Sequence, residues 1–332
     1  MNSSGPALHL QYGVNAFADK VYRDYKPLTS TANYPDPFAA ELRHAIAAYT
    51  GFGEDMILCS SGSDELIDIY IRLHKVKIPG VKVAFSPPTY PQYEAYTARE
   101  EVACIKLPHD RASITAELVR KMGGRPEDTV VMLDCPANPS GEIISREQFK
   151  GLLDDGFRVF ADEAYYEFSR ITVADLIMQY PEQLVVSRSL SKFAAMAGNR
   201  IGYLLAAPAM VQEIRAQQLF FSVNSEGQHR ALHALGRISE LHDAIAEMRR
   251  TKQQVDEAIR GLGPFHVHPS LDMYSIFSHK HIATEDLYQK LLTDHAIHTT
   301  RFPGFKGHDV IRSAILQLPR MKRLISALQT YA

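Results

Sequence analysis

The sequence predicts an α/β fold, with a large domain whose mostly parallel central sheet is flanked by helices, followed by a smaller α/β C-terminal domain. Three observations predict it. From about Pro35 to Ala207, short β-branched runs alternate with longer helical patterns, the order a covered parallel sheet requires. Alternating helices and strands resume after Phe221. A chain of 332 residues, 45% hydrophobic and 22% charged, is also long enough to bury a large core and to divide in two. The expected division is an N-terminal arm at 1–33 that packs on the small domain and lines the site, a large domain at 34–220 and a small domain at 221–332.

In chain order, Ala32-Asn-Tyr-Pro-Asp-Pro37 reads as a turn, because Asn, Asp and two prolines give one. Met56-Ile-Leu58 is strand-like and leads into Cys59-Ser-Ser-Gly-Ser-Asp-Glu-Leu-Ile67, which enters a helix. Backbone N–H groups at such a start can cradle an anion, although Ser-x-x-Asp also marks an ordinary helix N-terminus. Phe85-Ser-Pro-Pro-Thr-Tyr-Pro91 is a proline-rich turn. Val130-Val-Met-Leu-Asp-Cys135 is an apolar run broken by Pro136-Ala-Asn-Pro-Ser-Gly141. Phe157-Arg-Val-Phe-Ala161 reads as a buried parallel strand ended by Asp162, an acid that could serve only as a helix cap. Further on, Asp243 to Arg260 reads as a long charged helix, Phe265 to His268 and Met273 to Phe277 as strands, Val310 to Ala314 as a strand and Arg320 to Thr330 as a closing helix. Pro264, Pro269, Pro303 and Gly304 mark turns, and no internal repeat or low-complexity linker is found.

The chemistry concentrates in Ser187-Arg-Ser-Leu-Ser-Lys-Phe-Ala-Ala-Met-Ala-Gly-Asn-Arg-Ile-Gly-Tyr203. Lys192 is the candidate nucleophile, since a lysine amine condenses with an aldehyde. Ser189, Ser191 and Arg200 offer hydroxyls and a guanidinium suited to a phosphate on that aldehyde. Ser-Leu-Ser-Lys followed by Ala-Gly-Asn-Arg-Ile-Gly-Tyr resembles the lysine segment of fold-type I pyridoxal 5′-phosphate (PLP) enzymes of aminotransferase class I/II. Within them the chain is most similar to the histidinol-phosphate aminotransferase branch. Asp162-Glu-Ala-Tyr-Tyr166, Pro136 to Gly141 and the Gly62-Ser-Asp-Glu65 loop resemble family segments in family order.

That resemblance implies roles. Asp162 pairs with the pyridine nitrogen and keeps the ring an electron sink; Tyr165 and Asn138 bind the phenolic oxygen; Ser63 and Asp64 supply phosphate-binding amides; Tyr90 stacks on the ring. Ala137 and Ser140 replace the usual Asn and Thr of the Asn138 loop without removing its key amide. Tyr34 matches the tyrosine that reaches the cofactor phosphate of a neighbouring subunit, which implies a homodimer and an N-terminal arm that also packs on the partner. Arg312 matches the arginine that meets the substrate carboxylate in a two-pronged geometry. The reaction implied is ping-pong transfer of an amino group between an L-amino acid, phosphorylated or otherwise polar, and a 2-oxo acid.

Some residues depart from the family pattern. His298 falls where an arginine is frequent, with Arg301 as a possible substitute near the distal end of the substrate, and Tyr274 falls where an asparagine is frequent. Pro303-Gly304 and Ile311-Arg-Ser-Ala314 resemble threonine-phosphate decarboxylases. A PLP decarboxylase, oxidase or lyase therefore stays open beside the aminotransferase, as does a non-catalytic binding protein.

The remaining features narrow the partners. A net charge of −2 gives no footprint for nucleic acid or an anionic membrane. Cys59, Cys104 and Cys135 lack metal or redox spacing, so reduced thiols in a cytoplasmic protein are expected. No apolar run approaches membrane-span length, and Met1-Asn-Ser-Ser-Gly5 has no signal-peptide core. His266-Val-His268 and His279-Lys-His281 have the spacing of chelating pairs, but without a third ligand nearby no metal is expected.

Overall fold

The structure, a computed structural model, describes residues 6–13, 15–305 and 308–332, so the chain's opening at residues 1–5 lies outside the described residues. The strands are β1 (Leu8–His9), β2 (Ile57–Ser60), β3 (Lys82–Phe85), β4 (Ala103–Lys106), β5 (Thr129–Asp134), β6 (Arg158–Asp162), β7 (Leu184–Ser189), β8 (Gly202–Leu205), β9 (Phe265–His268), β10 (Tyr274–His279), β11 (Ile297–His298), β12 (Thr300–Phe305) and β13 (His308–Ala314). The helices are α1 (Ala40–Thr50), α2 (Gly62–Lys77), α3 (Gln92–Arg99), α4 (Ala116–Lys121), α5 (Arg146–Asp154), α6 (Tyr166–Ser169), α7 (Leu190–Phe193), α8 (Pro208–Arg215), α9 (Ser225–Leu235), α10 (Ile238–Arg260), α11 (Thr284–His295) and α12 (Leu318–Gln329).

Among the described residues, seven strands form the large sheet in the order β2-β8-β7-β6-β5-β3-β4. Only β8 runs antiparallel to its neighbours. Its central strands are apolar on both faces because both faces are covered. Val131, Leu133, Val159, Ala161 and Val186 enter one core with Phe149 and Leu152 of α5. Val130, Met132, Phe160 and Val185 enter a second core with Leu66, Ile67 and Tyr70 of α2. A one-residue slip of any of these strands would exchange the two sets. The chain reverses into α5 through a reciprocal capping box between Ser145 and Gln148.

The C-terminal half builds an antiparallel sheet, β12-β13-β10-β9, packed on α10, α11 and α12 through Ile276, Ile311, Leu287, Leu324 and Leu328. The arm adds β1 in parallel to β11 and continues through Gln11, Gly13 and Asn15. It touches both halves of the molecule: the Asn15 N–H donates to the Lys192 carbonyl at 3.0 Å and the Gly13 N–H to the Tyr274 hydroxyl at 3.0 Å.

Candidate active site

The parallel strands deliver their last residues to one place. Asp134 ends β5, Asp162 ends β6 and Ser189 ends β7, the carboxyl edge where open α/β sheets bind ligands. There Ser63, Asp64, Tyr90, Asn138, Asp162, Tyr165, Ser189, Ser191, Lys192 and Arg200 line a cleft that is open to solvent at its mouth and encloses about 90 Å³.

Asp162 is buried and fully bonded. Its Oδ2 accepts from the Tyr93 hydroxyl at 2.9 Å, and its Oδ1 accepts from Ser187 Oγ at 3.0 Å and the Ala164 N–H at 3.2 Å. Burial, and then the charge of Asp134 beside it, push its carboxyl up to about 7 against the pull of these donors. Tyr165 is the opposite case: its hydroxyl is buried with no hydrogen-bond partner, and burial holds its phenol well above the usual range. The Lys192 ammonium lies 6.0 Å from the centre of the Tyr165 ring.

At the far end, α2 begins beside Arg200. Ser61, at its N-cap, makes no side-chain hydrogen bond to the first turn. Gly62 has φ +75°, and a Cβ there would lie 2.5 Å from Arg200 Nη2. Gly202 of β8 lies against the backbone of the same turn, where a Cβ would lie 2.6 Å from the Gly62 carbonyl carbon and 2.7 Å from the Ser63 nitrogen. The Asp64 carboxylate bridges this end, accepting from the Tyr90 hydroxyl at 2.8 Å and from Arg200 Nη2 at 2.8 Å. Ser189 Oγ caps the turn that carries the lysine, accepting from the Ser191 N–H at 3.1 Å.

Arg312 reaches the site from β13. Its Nη1 donates to Asn138 Oδ1 at 2.7 Å and its Nη2 to the Gln11 carbonyl at 3.2 Å, while Nε is buried without a partner. The guanidinium lies over the rings of Tyr274 at 4.0 Å and Phe302 at 4.6 Å. Because only an oxygen accepts from Arg312, the bond fixes the Asn138 amide and leaves its N–H groups as donors.

Arg312 and Tyr274 stand behind the lining and meet it through Asn138 and Tyr165, and three further expected residues are not brought to this cavity. Arg301 pairs with Ile311 across β12 and β13, whereas Thr300 pairs with Arg312. The period of two therefore turns Arg301 to the other face, where it bonds Glu285 at 2.9 Å. His298 stacks on His9 with ring centres 4.5 Å apart. Tyr34 is 82% exposed and stacks on Phe221 at 4.6 Å. Of the paired histidines, His268 bonds Ser278 Oγ and His279 bonds the Tyr331 carbonyl. Among the described residues no group of three or more His, Cys, Asp or Glu is placed to hold a metal, and no helix is long and apolar enough to cross a membrane.

Sequence patterns missed Asp134, Tyr93, Ser187 and Arg111. Asp134 carries the signal that identified Asp162, an acid at the end of an apolar run. Tyr93 and Arg111 carry none, since their roles arise from strands and helices distant in sequence.

Comparison with known proteins agrees with this geometry. Residues 19–328 match the sequence model of the family "Aminotransferase class I and II". A histidinol-phosphate aminotransferase of Dehalococcoides mccartyi is 34% identical over 191 residues, 58% of this chain and 52% of that protein. One from Roseiflexus castenholzii is 32% identical over 240 residues, 72% of this chain and 64% of that protein. The matches thus span about half to two thirds of these relatives. Among solved structures, the histidinol-phosphate aminotransferase of Sinorhizobium meliloti in complex with pyridoxal-5′-phosphate superposes with a TM-score of 0.84 at 23% identity, covering 98% of this chain and 90% of that one. The L-threonine-O-3-phosphate decarboxylase of Porphyromonas gingivalis superposes at 0.80 with 19% identity, covering 98% and 99%. Both share the fold. With its family match running through both sheets and the whole cavity, the chain belongs to the aminotransferase class I and II family.

Proposed function

We propose that this chain is a PLP-dependent aminotransferase that moves an amino group between a polar L-amino acid and a 2-oxo acid in a ping-pong cycle. The observation that carries the reading is the company of Lys192: its amine shares one cavity with a buried carboxylate, an unpaired phenol and an arginine at a helix start.

The residues present fit the cofactor. Asp162 is a buried carboxylate whose ionised form lacks a cation, the deficit a protonated ring nitrogen would fill. The orphaned Tyr165 hydroxyl and the Asn138 amide are donors for a phenolic oxygen. Ser63, Asp64, Ser189, Ser191 and Arg200 are the group suited to its phosphate, with the open first turn of α2 aligned on the same anion. Binding there requires the Asp64 carboxylate to turn away from Arg200, since two anions would otherwise share one guanidinium. When bound, the cofactor supplies an aldehyde for the amine and a ring that delocalises negative charge from the substrate's α-carbon.

The chain's own residues do the rest. Lys192 would hold the cofactor through its amine, and the same amine, when free, would move the proton at the substrate's α-carbon. Arg312 orients the substrate through its carboxylate, with Tyr274 and Phe302 holding the guanidinium from its flat faces. Tyr90 lines the cavity where it would cover the ring. A second copy of the chain supplies Tyr34 to the phosphate, so that the working unit is a cytoplasmic homodimer.

A half-reaction tests this. The PLP-loaded chain, mixed with a panel of amino acids, is expected to convert stoichiometrically to pyridoxamine phosphate with release of a 2-oxo acid. Release of carbon dioxide or peroxide instead assigns a decarboxylase or oxidase.

A further inference from the structure

A buried ion pair stands at the edge of the cavity. Arg111, which opens a 3-10 turn (Arg111–Ser113) after β4, is 3% exposed and lays its guanidinium across the ends of β3 and β5. Its Nη1 donates to the Asp134 carbonyl at 2.9 Å, and its Nη2 to Asp134 Oδ1 at 2.6 Å and to the Ser86 carbonyl at 3.3 Å. The other oxygen of Asp134 accepts from the Asn138 backbone N–H at 2.8 Å. Asn138 in turn accepts from Arg312 through Oδ1 at 2.7 Å. An unbroken chain of bonds therefore runs from Arg111 through Asp134 and Asn138 to Arg312.

This run of bonds does more than hold the fold. Buried ion pairs add little stability over packed apolar side chains of the same volume, because desolvation offsets the attraction. An apolar pair, however, offers no acceptor for the Asn138 N–H. In the loop from Pro136 to Gly141 the Ala137 and Gly141 N–H groups bond to carbonyls of the same segment, at Glu142 and Ala137, whereas the Asn138 N–H bonds back to Asp134 at the end of β5 and so holds the residue that meets Arg312.

We propose that Asp134, clamped by Arg111, is a positioning residue that sets Asn138 and, through it, the guanidinium of Arg312, so that substrate-carboxylate binding is controlled from this ion pair. The proposal rests on reading Arg312 as the carboxylate residue of a PLP site.

The test replaces the pair by apolar side chains, Arg111→Met together with Asp134→Leu. Melting temperature, PLP uptake by absorbance, and the Kd of 3-phenylpropionate read from the visible band of the loaded protein are compared with the wild type. Folding and PLP uptake are expected to persist while Kd rises by about tenfold, the size of one lost charge-assisted bond. Adding Arg312→Lys is expected to weaken binding little further, because both changes disable one linked unit. Should the double variant not fold, Asp134→Asn decides: its amide has one acceptor oxygen where the carboxylate has two, so Kd rises severalfold and KM changes more than kcat. A melting point that falls with Kd unchanged, or losses that multiply independently with Arg312→Lys, overturns the proposal. A wild-type chain that takes up no PLP overturns the cofactor reading, and this proposal with it. A loaded variant that binds the carboxylate like wild type overturns the proposal alone.

Discussion

Asp162 and Glu167 are both carboxyls that burial pushes up to about 7, yet they stand in different relations to the cavity. Asp162 faces it with both oxygens held by donors, so the site is built around a carboxylate awaiting a cation. Asp162→Asn keeps shape and removes the charge. The variant is expected to fold and retain PLP while kcat falls on the order of 10²–10³-fold, as when a preorganised electrostatic group is removed; near wild-type turnover with intact PLP would end the electron-sink assignment. Glu167 lies behind the sheet, with Oε1 accepting from Tyr49 at 3.2 Å and Oε2 unpartnered. Its raised folded value favours the fold at pH below the usual carboxyl range, and this contribution is lost as pH rises through about 7. Glutamine does not titrate. Thermal unfolding of Glu167→Gln is therefore expected to gain on wild type from pH 5 to pH 8, by on the order of 3 kcal/mol; a pH-independent difference would contradict it. Asp162 was legible because it ends an apolar run and opens the Asp-Glu-Ala-Tyr segment that resembles the family's. Glu167 was not, because a glutamate at a helix start ordinarily faces solvent, and only the packing of Tyr49 and Arg188 around it reveals its burial.

At the scale of elements, the start of α2 depends on two glycines. Strand β8 meets the first helical turn backbone to backbone at Gly202, and Gly62 takes a left-handed φ of +75° where a side chain would strike Arg200. Gly62→Ala combines that strain with displacement of Arg200, so PLP affinity is expected to fall about tenfold, in line with roughly 1–2 kcal/mol for a left-handed residue. Spectrophotometric titration with PLP checks this, and unchanged affinity would remove α2 from the phosphate site. The helix itself was legible from its hydrophobic pattern, but the strand against it was not, because β8 is reversed in an otherwise parallel sheet. Helix α10 starts at Ile238 rather than at Asp243: Leu241 is buried in its first turn, whereas the charge pattern becomes evident only later. The substrate side was least legible. Register decides which side chains of β12 face Arg312, and the irregularity between Phe302 and Phe305 cannot be read from Pro303 and Gly304 alone.

At the scale of the whole molecule, an aromatic surface stands open among the described residues. Tyr34 stacks on Phe221, Phe220 packs edge-on to both Phe221 and Phe38, and Leu219 is exposed beside them. Contiguous apolar surface of this kind marks an interface between proteins. Sedimentation is expected to show a homodimer, and Phe220→Asp to shift it toward an inactive monomer; a fully active wild-type monomer would refute shared sites. The alternation of strands and helices revealed two α/β halves, while the arm's position across Lys192 and Arg312 follows from tertiary packing and leaves no periodic trace. The site converges on the amine of Lys192. The most direct measurement is borohydride reduction of the PLP-loaded chain followed by peptide mapping: the account expects the pyridoxyl group on Lys192, and label on another lysine, or none, would contradict it.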